Sequence, residues 1–172
     1  LRVPRAACME DATLYELSSL GFGPFFEAQL NHITATNIVP ARIASQHLSS
    51  YEVWSHTGAS PAKLAGRLRL ELKDDGLPCV GDWVLLRDEP GPDRTATIEH
   101  LLARRTVFTR GGPGPEARTQ VIAANVDLVF VVCGLDADFN VRRIERYLAR
   151  IWASGAQPLV ILNKADVCED ID

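Results

Sequence analysis

The sequence predicts a mixed fold: a short helical arm, a small closed β-barrel of five strands, and the opening of an α/β sheet. Three observations point there. Apolar residues near the start recur at helical spacing, and from Ile38 the period changes to two. After a Gly/Pro-rich run, two continuous apolar stretches flank an amphipathic helix, which is the βαβ pattern of a parallel sheet. With 172 residues, a formal charge of −4 and 47% hydrophobic content, the chain suits one or two small domains.

The arm comes first. Residues 9–32 have helical spacing: Leu14, Leu17 and Leu20 share a face, Gly21 and Gly23 interrupt, and Pro24 suits the first turn of a second short helix through Leu30. Residues 1–8 precede the only methionine, Met9, and lack the apolar core of a signal peptide, so they are expected to be upstream sequence. Residues 1–37 are therefore assigned to a tail and arm.

Residues 38–106 are assigned to the barrel, with candidate strands at 39–46, 51–56, 63–72, 82–87 and 96–102. In the third, Leu64, Leu68, Leu70 and Leu72 alternate with Arg67, Arg69, Glu71 and Lys73, giving one buried and one wet face, with a bulge at Gly66. Asp74-Asp75-Gly76, Gly81-Asp82 and Pro90-Gly91-Pro92-Asp93 supply turns. Five short curved strands in so short a stretch suggest an OB-type barrel, a fold that binds oligonucleotides on one face and its adjacent loops. Candidate RNA contacts follow. Tyr51 and Trp54 offer rings for base stacking, although Tyr51 suits the barrel core equally well, and Trp83 suits it better. Arg67 and Arg69 lie on the expected wet face. Arg104, Arg105 and Arg110, at the barrel exit, either meet phosphate or form a solvated edge.

Residues 107–119, containing Gly111-Gly112-Pro113-Gly114-Pro115, are expected to be a flexible linker. Residues 120–172 then hold the α/β part. Residues 126–133 form an apolar strand broken only by Asp127, and Asn140 caps a helix. That helix buries Val141, Ile144, Tyr147, Leu148 and Ile151 and turns Arg142, Arg143, Arg146 and Arg150 to solvent. Gly155 stops it, and residues 158–162 form a second strand expected to be buried on both faces.

That strand runs straight into Asn163-Lys164-Ala165-Asp166, at the carboxyl edge where open α/β sheets bind their ligands. The tetrapeptide matches the guanine-reading element of GTP-binding proteins. A carboxylate at Asp166 can accept from N1–H and the exocyclic amine of guanine, whereas adenine would leave that charge unpaired. The stem of Lys164 can lie on the purine face, and Asn163 can reach the base edge or tie loops together.

Other functions are excluded or disfavoured. No apolar run approaches the roughly 18 residues of a membrane span. Cys8, Cys79, Cys133 and Cys168 are scattered, without C-x-x-C, so neither a disulfide framework nor a metal site is expected, and a reducing cytoplasm is. No stretch is basic enough to hold nucleic acid by bulk charge.

Two parts of a GTPase are missing from residues 1–172. There is no G-x-x-x-x-G-K-[ST] to cradle phosphates, and so no metal-side D-x-x-G set behind such a loop. Either the phosphate loop follows Asp172 in a permuted order, or the chain is a stand-alone OB-fold RNA-binding module with an α/β partner-docking tail.

The string Gln120-Val121-Ile122-Ala123-Ala124-Asn125-Val126-Asp127, then Asp138-Phe139-Asn140, Arg146-Tyr147-Leu148 and Asn163-Lys164-Ala165-Asp166, resembles the ribosome small-subunit-dependent GTPase A family, as do Gly81-Asp82-Trp83-Val84 and Arg104-Arg105-Thr106. The resemblance runs from about Leu17 to the end. It implies an OB barrel, then a circularly permuted P-loop GTPase domain with its guanine element first, then a zinc-binding domain beyond these residues. It further implies a monomer that binds the small (30S) ribosomal subunit and its rRNA during late maturation and hydrolyses GTP to GDP with Mg²⁺. Zn²⁺ would belong to the later domain. Of the nucleotide contacts, only Asn163, Lys164 and Asp166 have positions here, and no catalytic residue does.

Overall fold

The computed structural model describes residues 15–48, 50–72, 76–111, 119–137 and 139–168. They belong to two compact units, Leu1–Ala103 and Arg104–Asp172. Leu14, the Asp74-Asp75 turn, Asp138 and most of the Gly/Pro run lie outside the described residues, as do residues 1–8.

In the first unit the arm is only partly helical. Residues 17–21 form a tight turn, with the amides of Ser19 and Leu20 bonding to the Glu16 carbonyl. Gly21, at φ +89°, ends it. Helix α1 (Pro24–Leu30) begins with Pro24 in its first turn, where the missing N–H costs nothing. Its Phe26 packs with Trp83, Leu85 and Leu102, joined by Leu17, Leu20, Phe22, Leu30, Ile33 and Ile38. The Arg42 guanidinium donates to the Leu20 carbonyl and sits 6.0 Å from the Trp83 ring centroid, fastening the turn to the barrel wall.

Five strands close the barrel: β1 (Ile38–His47), β2 (Ser50–Ser55), β3 (Gly58–Leu64), β4 (Trp83–Arg87) and β5 (Ala96–Leu101), in the order β1-β2-β3-β5-β4 with β4 returning to β1. All pairings are antiparallel except β3 with β5, where Ala62 meets Ala96. This is the OB arrangement expected from the sequence. A register shift between Ile43 and Ser45 bends β1. Ala41, Ile43, Tyr51, Val53, Ala62, Val84, Leu86 and Ile98 fill the interior. In β4, Val84 and Leu86 face that interior while Trp83 and Leu85 face the arm, so the strand is buried on both sides.

The third expected strand is wrong in place and partly in kind. Strand β3 occupies Gly58–Leu64, and Gly66–Leu72 is helix α2, which Gly66 opens rather than bulging a strand. Leu68 is buried, whereas Leu70 is 84% exposed, which period-two alternation cannot produce. Helical spacing explains it: Leu68 and Leu72 stand four apart against the barrel core, beside Leu64 from the end of β3, and Leu70 falls on the far side.

In the second unit, residues expected to form a linker are paired. Strands β6 (Val107–Gly111) and β7 (Thr119–Ala124) make an antiparallel pair. Before them, Arg105 N–H donates to the Asn125 side-chain oxygen at 2.8 Å and the Thr106 hydroxyl donates to the Val126 carbonyl at 2.9 Å. Strand β8 (Leu128–Gly134), helix α3 (Val141–Ser154) and strand β9 (Gln157–Asn163) follow, β8 and β9 pairing in parallel from Leu128↔Gln157 to Gly134↔Asn163. The Asn140 side-chain oxygen accepts from Arg143 N–H at 3.0 Å, capping α3 as expected. Gly155 ends it in the left-handed conformation at φ +87°.

The core of this unit is Val131, Cys133, Ile144, Ile151 and Ala156, with Phe108, Val129 and Leu148 against it. Val141 and Tyr147, expected in the buried stripe, are about half exposed. The second strand is not buried on both faces: Leu159, Val160, Ile161 and Leu162 are all exposed, as are Leu128, Phe130 and Val132 of β8. One helix covers one face of a two-stranded sheet, and the strand residues it buries, Val131 and Cys133, are on β8.

Candidate nucleotide-binding rim

Strands β8 and β9 end level with one another, and the amide of Leu135 extends their ladder by donating to the Asn163 carbonyl at 2.8 Å. Beyond that rung both chains turn away, leaving a polar rim. Lys164 turns by adopting the left-handed conformation (φ 62°, ψ 37°), then a 3-10 turn, Ala165–Val167, carries Asp166. A non-glycine residue there costs on the order of 1 kcal/mol, and such strain gathers at ligand sites. Asn163, Lys164 and Asp166 are all exposed at this rim.

Sequence reasoning missed Asp136. Its carboxylate accepts from Lys164 Nζ at 2.5 Å, joining the ends of the two strands. Gly134 makes room, since a Cβ there would come within 3.0 Å of the same carboxylate. A polar residue just past the carboxyl end of the first strand of a βαβ unit is the signal that marks it. The turn continues from Asp136, whose carbonyl accepts from Phe139 N–H at 2.9 Å, to the α3 cap.

The expected RNA contacts are scattered by the structure. Tyr51 is 4% exposed and belongs to the barrel core. Its burial raises the phenol pKa, and a ring so enclosed cannot stack on a base. Trp54 is partly exposed, stacked on Tyr15 at 5.4 Å, with its indole N–H donating to Glu52 at 3.1 Å. Trp83 is a core ring, as expected. Arg67 and Arg69 are exposed on α2 rather than on a strand; two residues apart on a helix, they point in different directions. Arg67 is also paired with Glu71 at 2.7 Å. Arg105 pairs with Asp127, and Arg104 is partly buried. Arg110 lies on β6, its side chain outside the described residues.

The RsgA GTPase family model matches residues 101–172. A small ribosomal subunit biogenesis GTPase RsgA of Opitutus terrae is 45% identical over 162 residues, covering 90% of this chain and 44% of that protein. The chain belongs to the RsgA family. An RsgA of Syntrophotalea carbinolica is 41% identical, again over 90% of this chain and 44% of the relative. The RsgA-family chain thus spans a little under half the length of these relatives. Among solved structures, YjeQ from Thermotoga maritima matches 77% of the chain with a TM-score of 0.59 at 23% identity. YloQ, described as a circularly permuted GTPase, matches 81% with a TM-score of 0.57 at 22% identity. Both likenesses cover about 45% of the longer chain and bear out the fold class: a closed barrel, then the start of a permuted GTPase domain.

Proposed function

We propose that this chain is the barrel and guanine-reading part of a GTPase that binds the small ribosomal subunit and acts in its late maturation in the cytoplasm, as a monomer, hydrolysing GTP to GDP and phosphate. The names of its relatives, small ribosomal subunit biogenesis GTPases, support the setting. The observation that carries the nucleotide is the rim: Asn163, Lys164 and Asp166 exposed at the carboxyl edge of a parallel pair, with Lys164 in a left-handed turn.

In this reading Asp166 accepts two hydrogen bonds from the guanine edge, the Lys164 stem covers the purine face, and Asn163 reaches the base edge or fixes the adjoining loop. Asp136 is added as a positioning residue, because its bond to Nζ holds the lysine over the place a base would occupy. Mg²⁺ on the phosphates would supply charge stabilisation during transfer. The phosphate loop that would hold it is not found in this sequence, and the D-x-x-G string at Asp88-Glu89-Pro90-Gly91 lies between two barrel strands, β4 and β5. Among the described residues no cluster fits a metal, zinc included. The 172 residues alone are therefore expected to bind nucleotide feebly and not to hydrolyse it. Trp54, Arg67 and Arg69 in the first unit, and Arg104, Arg105 and Arg110 in the second, remain the candidates for rRNA, and the stacking role is withdrawn from Tyr51.

The test is base selectivity in a full-length protein carrying this chain. GDP should bind at least about 10²-fold more tightly than ADP, and Asp166→Asn should abolish most of that preference, since the amide presents a donor where the carboxylate accepted. Equal affinity for ADP and GDP in the unaltered protein would sink the assignment.

A further inference from the structure

The outward side of α3 carries charge that the fold does not use. Arg142, Arg146 and Arg150 are exposed and stand at intervals of four residues. That spacing sets them about 6 Å apart along the axis and rotates each by only about 40° from the last. They form one stripe on the side opposite the buried Ile144 and Ile151. Like charges at this spacing repel and weaken an isolated helix. Four other arginines are answered by a carboxylate: Arg67 pairs with Glu71, Arg87 with Glu99, Arg94 with Asp88 and Arg105 with Asp127. Among the described residues the three stripe arginines have no carboxylate within ion-pair distance, although Glu145 lies on the same helix.

We infer that this stripe is a docking surface for the sugar-phosphate backbone of RNA, separate from the barrel residues; the choice of RNA rests on the ribosomal reading above. Three features favour a polyanion over an acidic protein. All the stripe's bases are arginine, whose planar fork holds phosphate oxygens in pairs. Their even spacing suits a ligand with evenly repeated charge. The strip between them is shallow and has no large apolar anchor at its centre: its two open depressions are lined by Asn140, Arg142, Glu145, Arg146 and Ala149, and by Arg146, Tyr147, Ala149 and Arg150. A protein partner would need a central aromatic or aliphatic hot spot; Ala149 is not one, and Tyr147, the one aromatic there, lines only the second depression, on the flank of the stripe.

The test uses the 172-residue chain with two probes, a short A-form RNA duplex of arbitrary sequence and a polyglutamate peptide, titrated over a range of salt. The variant R142A/R146A/R150A replaces exposed arginines with the best helix former, so the helix is kept. Its log affinity for the duplex should fall, and its dependence on log salt should become shallower by about 3, one for each phosphate that an arginine no longer neutralises. Lysine at all three positions should restore the salt slope but not the whole affinity. An unchanged slope in the alanine variant overturns the stripe. So does stripe-dependent binding of polyglutamate with duplex binding unaltered, which would assign the surface to an acidic protein. Absence of any duplex binding by the unaltered chain overturns it too. None of these outcomes touches the GDP-over-ADP selectivity, which stands or falls on its own measurement.

Discussion

Residues separate by whether their polar groups were taken into the fold or left at its edge. Tyr51 was taken in. Burial in the barrel raises its pKa above the ordinary 10.0, with the Arg69 charge opposing in part. The neutral phenol is the form the folded state prefers. Below pH about 10 it is neutral folded or unfolded, and its burial is fully stabilising; above that the unfolded chain ionises first, so stability falls as pH rises. Urea midpoints between pH 8 and 11 should therefore drop in the alkaline range, and Tyr51→Phe should flatten that drop. An equal alkaline loss in the variant would show that another group titrates. Asn163, Lys164 and Asp166 are the opposite case, side chains exposed at a strand end. Their place was legible in the sequence because Asn-Lys-x-Asp follows an apolar run directly. Asp136 was marked only by its place past the end of the first strand; its partner was not legible, because only the level ending of the two strands brings it to Lys164.

Among the elements, strands made of branched residues declared themselves. The expected 39–46, 51–56, 82–87 and 96–102 fall within a residue or so of β1, β2, β4 and β5. The failure at β3 has a physical cause. Gly58-Ala59-Ser60-Pro61-Ala62 has no branched or aromatic side chain to advertise a strand, and Pro61 argues against one. The barrel tolerates it by pairing Pro61 with Glu52 at an exposed position. The next stretch, Arg67-Leu68-Arg69-Leu70-Glu71-Leu72, alternates like a strand but is built wholly of good helix formers. Propensity prevailed over alternation there. Helix α3 was legible at both ends, from Asn140 and from Gly155. The latter position is demanding: φ is +87°, and a Cβ would meet the Thr106 methyl at 3.3 Å. Gly155→Ala should destabilise the second unit by about 1–2 kcal/mol, read as a lowered urea midpoint. No change would mean that the turn relaxes freely.

For the molecule as a whole, the two units differ in how completely they enclose their strands. The barrel closes on itself and leaves no edge. The second unit has two separate two-stranded sheets, and its β8-β9 pair carries one helix and an open β9 edge, with Phe130 59% and Val132 60% exposed on the uncovered face. Local opening should therefore cost far less in β9 than in β4. Hydrogen–deuterium exchange followed by mass spectrometry should find peptides of β1, β4 and β5 the slowest and those spanning β9 among the fastest of the strands. Comparable protection in β9 would mean that something covers it in solution. The apolar run at 158–162 suggested a strand enclosed on both sides because hydrophobicity records what a strand is suited to touch, and a sequence cannot say whether those neighbours are within the same 172 residues.

The double burial of β4 has a practical corollary for anyone trimming this chain. A cut at the composition change near Ile38 would look natural, yet it would strip Leu17, Leu20, Phe22, Phe26, Leu30 and Ile33 from Trp83 and Leu85. The remaining barrel would have a wet, greasy outer wall where it now has a second interior. The smallest piece worth expressing therefore starts upstream of Leu17, because the arm is the barrel's other half-core and not a leader to be discarded.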